Sequence, residues 1–106
     1  MRLKKNYKPC ILNEAKNDMQ SAALWYNKQE KGLGKKFIKR IREKVQNLQP
    51  NPLICQVRYK EIHTAIVEQF PYMVHYTIDD TNKIIYVIAV LHTSQNPQIW
   101  NDRTGE

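Results

Sequence analysis

Apolar residues recur at helical spacing through the first half of the chain. From Asn13 to Gly32 they fall three and four positions apart, and a second stripe of the same kind runs from Gly34 to Leu48. Asn13 is a candidate N-cap, and glycines and prolines follow each stripe where a helix should end. Because the link between the stripes is so short, the pattern predicts an antiparallel helical hairpin. Its apolar faces comprise Ala15, Met19, Ala22, Trp25, Tyr26, Phe37, Ile38, Ile41, Val45 and Leu48.

The hydrophobic period changes to two in the second half of the chain. Val57 to Val67 alternates as a strand that an interruption near Glu61 could divide, and Tyr72 to Ile78 alternates again. The polar run at residues 79–83 is typical of a turn. Ile84 to Leu91 is apolar throughout, which predicts a central strand covered on both faces, or on one face with the other partly shielded.

The residues before the first helix divide into an arm and a strand. Residues 1–6 lack periodicity and carry three cations, which predicts a flexible basic arm. Tyr7 to Leu12 alternates, and Pro9 places this strand at a sheet edge because proline has no N–H to donate. The predicted order is therefore β-α-α-β-β-β, an α+β fold in which an antiparallel sheet carries the helical hairpin on one face.

Length and cysteine content bound the class of protein. A chain of 106 residues, 42% hydrophobic, fits one domain over residues 1–106. Cys10 and Cys55 lie far apart and no secretory leader pattern precedes them, which favours reduced thiols in a cytoplasmic protein. The longest apolar run, Ile84 to Leu91, is far shorter than the roughly 20 residues that a membrane helix needs. We expect a soluble protein without membrane contact.

The charge of the chain is strongly positive and concentrated on the second predicted helix. The formal net charge is +7, which favours an acidic partner, either a nucleic-acid backbone or an acidic protein segment. The second predicted helix carries six cations and a single acid, Glu43. This surface is either a solvated face or a binding surface for an acidic partner. Its cations are Lys35, Lys36, Lys39, Arg40, Arg42 and Lys44.

The chain lacks the familiar catalytic motifs and holds three histidines. It has no glycine-rich phosphate loop, no metal-ligand spacing, no HExxH and no GxSxG, so we expect neither a metal nor a cofactor. A metal-free ribonuclease needs an acid, a base and cations for phosphate, and His63, His75 or His92 could supply the first two. His92 is the best placed, because it follows the apolar strand where the chain turns polar. Trp100 either caps the core or stacks on a base or partner.

Five sequence segments, spread over residues 7–103, together resemble one family. The chain resembles the RelE/ParE superfamily of toxins from bacterial type II toxin–antitoxin systems, of the plasmid-stabilisation type, and is closer to the ParE-like branch. No segment is specific alone, and the resemblance rests on their order and spacing. The segments are Ala-Leu-Trp25-Tyr26, Gly32-Leu33-Gly34-Lys-Lys-Phe37, Leu48 with Asn51-Pro52, Phe70-Pro71-Tyr72 with Tyr76, and Ala89-Val-Leu-His92 with Pro97 and Trp100.

The resemblance implies a partner and one of two activities. A cognate antitoxin would wrap the toxin, and charge complementarity directs its acidic segment to Lys35, Lys39, Arg40 and Arg42. RelE-like members cut mRNA in the ribosomal A site, whereas ParE-like members act on DNA gyrase without being nucleases. The resemblance therefore implies DNA gyrase, or the ribosome with its mRNA, as the target.

The sequence departs from both branches at expected site positions. His63 and Gln95 stand where ParE-like sequences usually have arginines. Tyr72 stands where RelE-like nucleases usually have an arginine that opens the third strand, and those nucleases usually have a tyrosine near the position of Trp100. Tryptophan cannot act as a base. Binding is accordingly a better-supported expectation than catalysis.

Three functions remain open at the level of sequence. The first is a ParE-like toxin that blocks its target by binding. The second is a ribosome-dependent endoribonuclease with His92 or His75 as acid and base, and with Arg58, Lys60 and Arg103 on phosphate. The third is a non-toxic binding module of the same fold. The residues predicted to contact target or nucleic acid are Arg58, Lys60, His63, Tyr72, Gln95, Trp100 and Arg103.

Overall fold

A computed structural model describes residues 6–94 and confirms the predicted α+β architecture. The segment at residues 57–67 is divided near Glu61 into two strands, so the sheet has five strands where the predicted order counted four. The elements are β1 (Lys8–Ile11), α1 (Asn13–Gln29), α2 (Leu33–Leu48), a 3-10 helix (Pro52–Ile54), β2 (Val57–Tyr59), β3 (Ile62–Ile66), β4 (Tyr72–Asp79) and β5 (Ile84–His92).

The sheet has the strand order β1-β5-β4-β3-β2. β1 lies parallel to β5, and the four strands from β2 to β5 form an antiparallel meander. β1 is an edge strand, as Pro9 predicted, and β5 lies centrally between β1 and β4. The helical hairpin packs on one face, where α1 and α2 bury Ala15, Met19, Ala22, Phe37, Ile41, Val45 and Leu48.

The interruption between β2 and β3 is a two-residue hairpin turn. Lys60 and Glu61 have φ angles of 41° and 65°, both in the left-handed region. A turn with two such residues matches the right-handed twist of the strands that it joins. The break expected near Glu61 is confirmed, and it leaves β2 as a short edge strand with Arg58 exposed.

The start of α1 corrects one prediction. The N-cap is Leu12, with φ −70° and ψ 159°, and Asn13 is already the first helical residue, so the predicted Asn13 cap is wrong by one position. Leu12 is fixed by the sheet, because its N–H donates to the Val87 carbonyl at 3.0 Å while its own carbonyl accepts from Lys16. The chain therefore passes from strand to helix without a side-chain cap.

β5 contains a β-bulge, and its sequence from Ile84 to Leu91 is apolar throughout because residues on both of its faces are buried. Tyr76 pairs with Val87 and His75 pairs with Ala89, so Ile88 has no partner on β4. The extra residue places Ile88 and Ala89 on the face opposite the helices, while Val87 and Val90 both belong to the helix-side core. Both faces of β5 are buried. Among residues 6–94, no helix is both long and apolar enough to cross a bilayer.

Candidate functional site

His92 lies at the end of β5, on the helix-side face of the sheet. It pairs with Tyr72 at the start of β4, and the two rings meet edge to face with 5.3 Å between their centroids. The backbone N–H of Ser94 donates to His92 Nδ1 at 3.1 Å, and the Ser94 hydroxyl lies 2.8 Å from the same atom. Because a backbone N–H can only donate, Nδ1 must carry its lone pair, so the neutral ring holds its proton on Nε2. In this state His92 offers a donor at Nε2 rather than a base.

His75 occupies the other face of the sheet and is fully buried. It pairs with Ala89, which belongs to the small cluster of Ile62, Ile88, Ala89 and Leu91 opposite the helices. Its Nδ1 lies 3.3 Å from the Tyr59 hydroxyl. His75 and His92 are thus separated by the sheet and do not converge on one substrate position.

His63 links the sheet to the loop that follows α2. Its ring stacks on Tyr76 with centroids 5.1 Å apart, and Nδ1 lies 2.6 Å from the Cys55 carbonyl, to which it donates. The Tyr76 hydroxyl donates to the Pro52 carbonyl at 2.6 Å, and burial raises the pKa of this phenol. Both side chains are buried, so they hold the 52–55 loop in place.

That loop and the β2–β3 hairpin expose four large apolar side chains, which we term the edge patch: Leu53, Ile54, Val57 and Ile66. Leu53 and Val57 line one shallow hollow, and Val57 and Ile66 line another, so Val57 borders both. The exposed cations Arg58 and Lys60 lie on the same β2–β3 hairpin. An exposed apolar area with a charged rim is typical of a protein-binding surface.

The predicted antitoxin-binding cations divide into two groups on α2. Lys35, Lys39 and Arg42 are exposed at positions i, i+4 and i+7, which places them on one stripe. Arg40 lies on another side, where it pairs with Glu43 at 2.8 Å and donates to Gln69 at 2.9 Å. The structure therefore brings three of the four cations together, and their role stays a prediction.

A groove separates α1 from the adjoining ends of β4 and β5. It has a volume of about 650 Å³, and its walls include Asp18, Trp25, Tyr26, Tyr72 and His92. Tyr26 contacts Trp25 edge to face at 5.1 Å and lies 6.1 Å from Tyr72, so the aromatic rings form a continuous wall. Trp25 is 56% exposed although it forms part of this wall.

Asp18 connects the groove to the bulged strand. Its Oδ2 accepts the backbone N–H of Val90 at 2.9 Å, three residues beyond Val87, the last β5 residue that pairs with β1. Burial and the nearby Asp18 carboxylate raise the pKa of Tyr72, and burial followed by Tyr72 raises the pKa of Tyr26. Both phenols are therefore neutral donors at physiological pH.

Sequence reasoning placed some of these residues and missed others. Tyr72 and His92 share the groove, Arg58 and Lys60 share the hairpin, and Gln95, Trp100 and Arg103 lie outside the described residues. Asp18 and the edge patch were missed, since an isolated aspartate in a helix and scattered aliphatic residues give no periodic signal. Within residues 6–94, no group of histidine, cysteine, aspartate and glutamate side chains could hold a metal ion.

Comparison with known proteins identifies the family. The profile described as the ParE toxin of the type II toxin–antitoxin system, parDE, matches residues 11–97. The chain belongs to the ParE toxin family. This ParE-family chain is accordingly a toxin component of a type II toxin–antitoxin system, as the resemblance implied, and that membership implies an antitoxin partner. No curated protein sequence matches the chain significantly.

Solved structures share the fold of this ParE-family toxin at low sequence identity. A chain of the chromosomal ParDE system from P. aeruginosa is 16% identical, with a TM-score of 0.71 over 81% of this chain and 95% of that chain. A chain of the RelBE2 toxin–antitoxin complex from Mycobacterium tuberculosis is 14% identical, with a TM-score of 0.61 over 90% of this chain and 100% of that chain. At this identity the likeness shows the fold alone.

Proposed function

We propose that this ParE-family toxin arrests growth by binding a protein target, DNA gyrase, and that its cognate antitoxin neutralises it by binding. The edge patch is the observation that carries the proposal. Leu53 is 66% exposed and Ile54 is 70% exposed, next to the cations of the β2–β3 hairpin. A monomer gains nothing from exposing such side chains side by side, whereas a protein target would bury them.

The placement of the histidines favours binding over RNA cleavage. Acid and base must reach the same phosphodiester, and His75 is buried on the sheet face opposite His92. His92 would have to give up the Ser94 N–H bond to hold a proton on Nδ1. The second candidate, an endoribonuclease that uses Arg58 and Lys60, would therefore need a proton acceptor other than this pair.

A matched pair of leucine substitutions tests the target surface. Leu53→Ser removes an apolar side chain from the edge patch, and Leu24→Ser removes one of nearly equal exposure, 64%, from the outer side of α1. Both substitutions should change folding stability by only about 0.5 kcal/mol, because both side chains are exposed. We expect Leu53→Ser to weaken inhibition of gyrase supercoiling by about tenfold or more, as loss of an interface anchor does, and Leu24→Ser to leave it unchanged.

Three outcomes distinguish the functions. Normal supercoiling in the presence of excess wild-type protein would reject gyrase as the target. New 5′ ends in mRNA after induction, lost on His92→Ala, would establish the endoribonuclease instead. Normal growth under strong induction, with folded protein present, would show a binding module that is no longer toxic.

A further inference from the structure

We propose that the groove between α1 and the β4–β5 ends binds an arginine side chain of the antitoxin. This inference rests on the proposed function, because it assigns a binding position to the same partner. It concerns a surface distinct from the cationic stripe of α2, since none of the stripe residues Lys35, Lys39 and Arg42 lines the groove.

The charge of the groove is opposite to that of the chain as a whole. The chain carries a formal net charge of +7, yet among residues 6–94 the groove wall holds the carboxylate of Asp18 and no lysine or arginine. Asp18 is held in place, because its Oδ2 accepts the Val90 N–H and because the sheet fixes Val90. A carboxylate that is already oriented loses little side-chain entropy when it pairs with a cation.

The walls of the groove suit a guanidinium better than an ammonium. Trp25, Tyr26 and Tyr72 present aromatic rings at centroid separations of 5.1 Å and 6.1 Å. A planar, weakly hydrated guanidinium can stack on such rings while its N–H groups reach a carboxylate, whereas a compact ammonium is strongly hydrated. At about 650 Å³ the groove is large enough for an extended side chain and part of its backbone.

The phenols in the groove wall do not oppose a cationic ligand. Burial raises the pKa of Tyr26 and of Tyr72, so both phenols are neutral at physiological pH. The His92 ring lines the same groove, and its Nδ1 accepts from the Ser94 N–H. Among the described residues that line the groove, Asp18 supplies the carboxylate that a ligand would meet.

A small-molecule titration tests the groove independently of the antitoxin. The probe is N-acetyl-arginine amide, with N-acetyl-citrulline amide as the neutral isostere, and the readout is the indole N–H resonance of Trp25. Trp25→Phe assigns that resonance by removing it. We expect a saturable shift with the arginine probe and none with citrulline. Equal shifts with both probes would overturn the inference.

Two charge-matched variants test the role of Asp18. Asp18→Asn keeps an oxygen for the Val90 N–H and removes the charge, whereas Glu30→Gln makes the same change in net charge at an exposed site after α1. We expect Asp18→Asn to lower the affinity for the arginine probe by about three- to tenfold and Glu30→Gln to leave that affinity unchanged. Equal affinity in the two variants would overturn the inference.

Calorimetry with the product of the neighbouring reading frame separates the two proposals. We expect that product to bind the Asp18→Asn variant about tenfold more weakly than it binds the Glu30→Gln variant. If that product binds both variants equally, the groove assignment fails and the toxin–antitoxin pairing stands. If it does not bind the wild-type protein, the pairing fails, and the arginine titration still decides the chemistry of the groove. If Asp18→Asn weakens gyrase inhibition instead, the arginine belongs to the target, which also overturns the assignment.

Discussion

Gly34 sets the distance between the two helices, and Gly34→Ala should disrupt the hairpin. A Cβ atom added at Gly34 would lie 2.3 Å from the Ala23 carbonyl oxygen and 2.8 Å from Asn27 Cγ. The carbonyl belongs to the backbone of α1 and cannot rotate away, so the helices must move apart. The Gly34 N–H also donates to Asn27 Oδ1 at 2.8 Å, which satisfies a donor at the start of α2 that has no partner within the helix.

The expected loss of stability in Gly34→Ala is the sum of two destabilising contributions and one stabilising contribution. Forcing a methyl group into a packed contact costs about 1–3 kcal/mol, and weakening the Asn27 bond costs about 1 kcal/mol more. Replacing glycine by alanine in a helix returns at most about 1 kcal/mol, and less in the first turn. We therefore expect Gly34→Ala to lower the free energy of unfolding by about 2 kcal/mol. For a domain of this size that corresponds to a fall in Tm of about 10 °C.

Gly32→Ala is the matched control, because its φ is +87° and an added Cβ would meet no atom within 4 Å. Its cost is the left-handed conformation alone, about 1 kcal/mol. Urea unfolding followed by circular dichroism measures both variants. If Gly34→Ala loses no more stability than Gly32→Ala, the close helix contact does not constrain this position and the reasoning is refuted.

Two further predictions concern the residues that tie distant segments together. Tyr76→Phe keeps the ring but leaves the buried Pro52 carbonyl without its donor, so we expect a loss of about 1–2 kcal/mol in urea unfolding, and unchanged stability would contradict this. Hydrogen bonds from the Tyr7 hydroxyl and then from Lys83 lower the pKa of Asp80 below its ordinary value of 3.8. The ionised Asp80 therefore stabilises the fold at pH values above 3.8, and this stabilisation is lost as the pH falls through the lowered pKa. Asp80→Asn should thus lower stability at pH 7 and flatten the acid limb of the stability–pH profile; an unchanged limb would refute the role.

The candidate site was predictable only in part. His92 was found from sequence because it follows the apolar strand where the chain turns polar, and Tyr72 was found through the family resemblance. The structure pairs the two residues across β4 and β5. His63 was predicted to contact a target, yet it is buried against Tyr76, because alternation places a residue on a face without stating what covers that face. That predicted contact stays untested.

The sequence by itself determined the kind and order of the elements. Periods of 3.6 and two are local properties, and glycine and proline at the ends of those runs act through their own backbones, so α1, α2 and the central β5 could be predicted without coordinates. The positive surface of α2 follows from composition in the same way. These features can be predicted without knowing which segments of the chain are in contact.

Only the tertiary structure decided what the surfaces can do. The bulge at Ile88 depends on the register between β4 and β5, and it determines which face Val90 and His92 occupy. The bond from Val90 to Asp18 joins residues 72 positions apart and turns an ordinary helix aspartate into the charged wall of a groove. Such contacts form because distant segments pack together, and no local pattern in the chain records them.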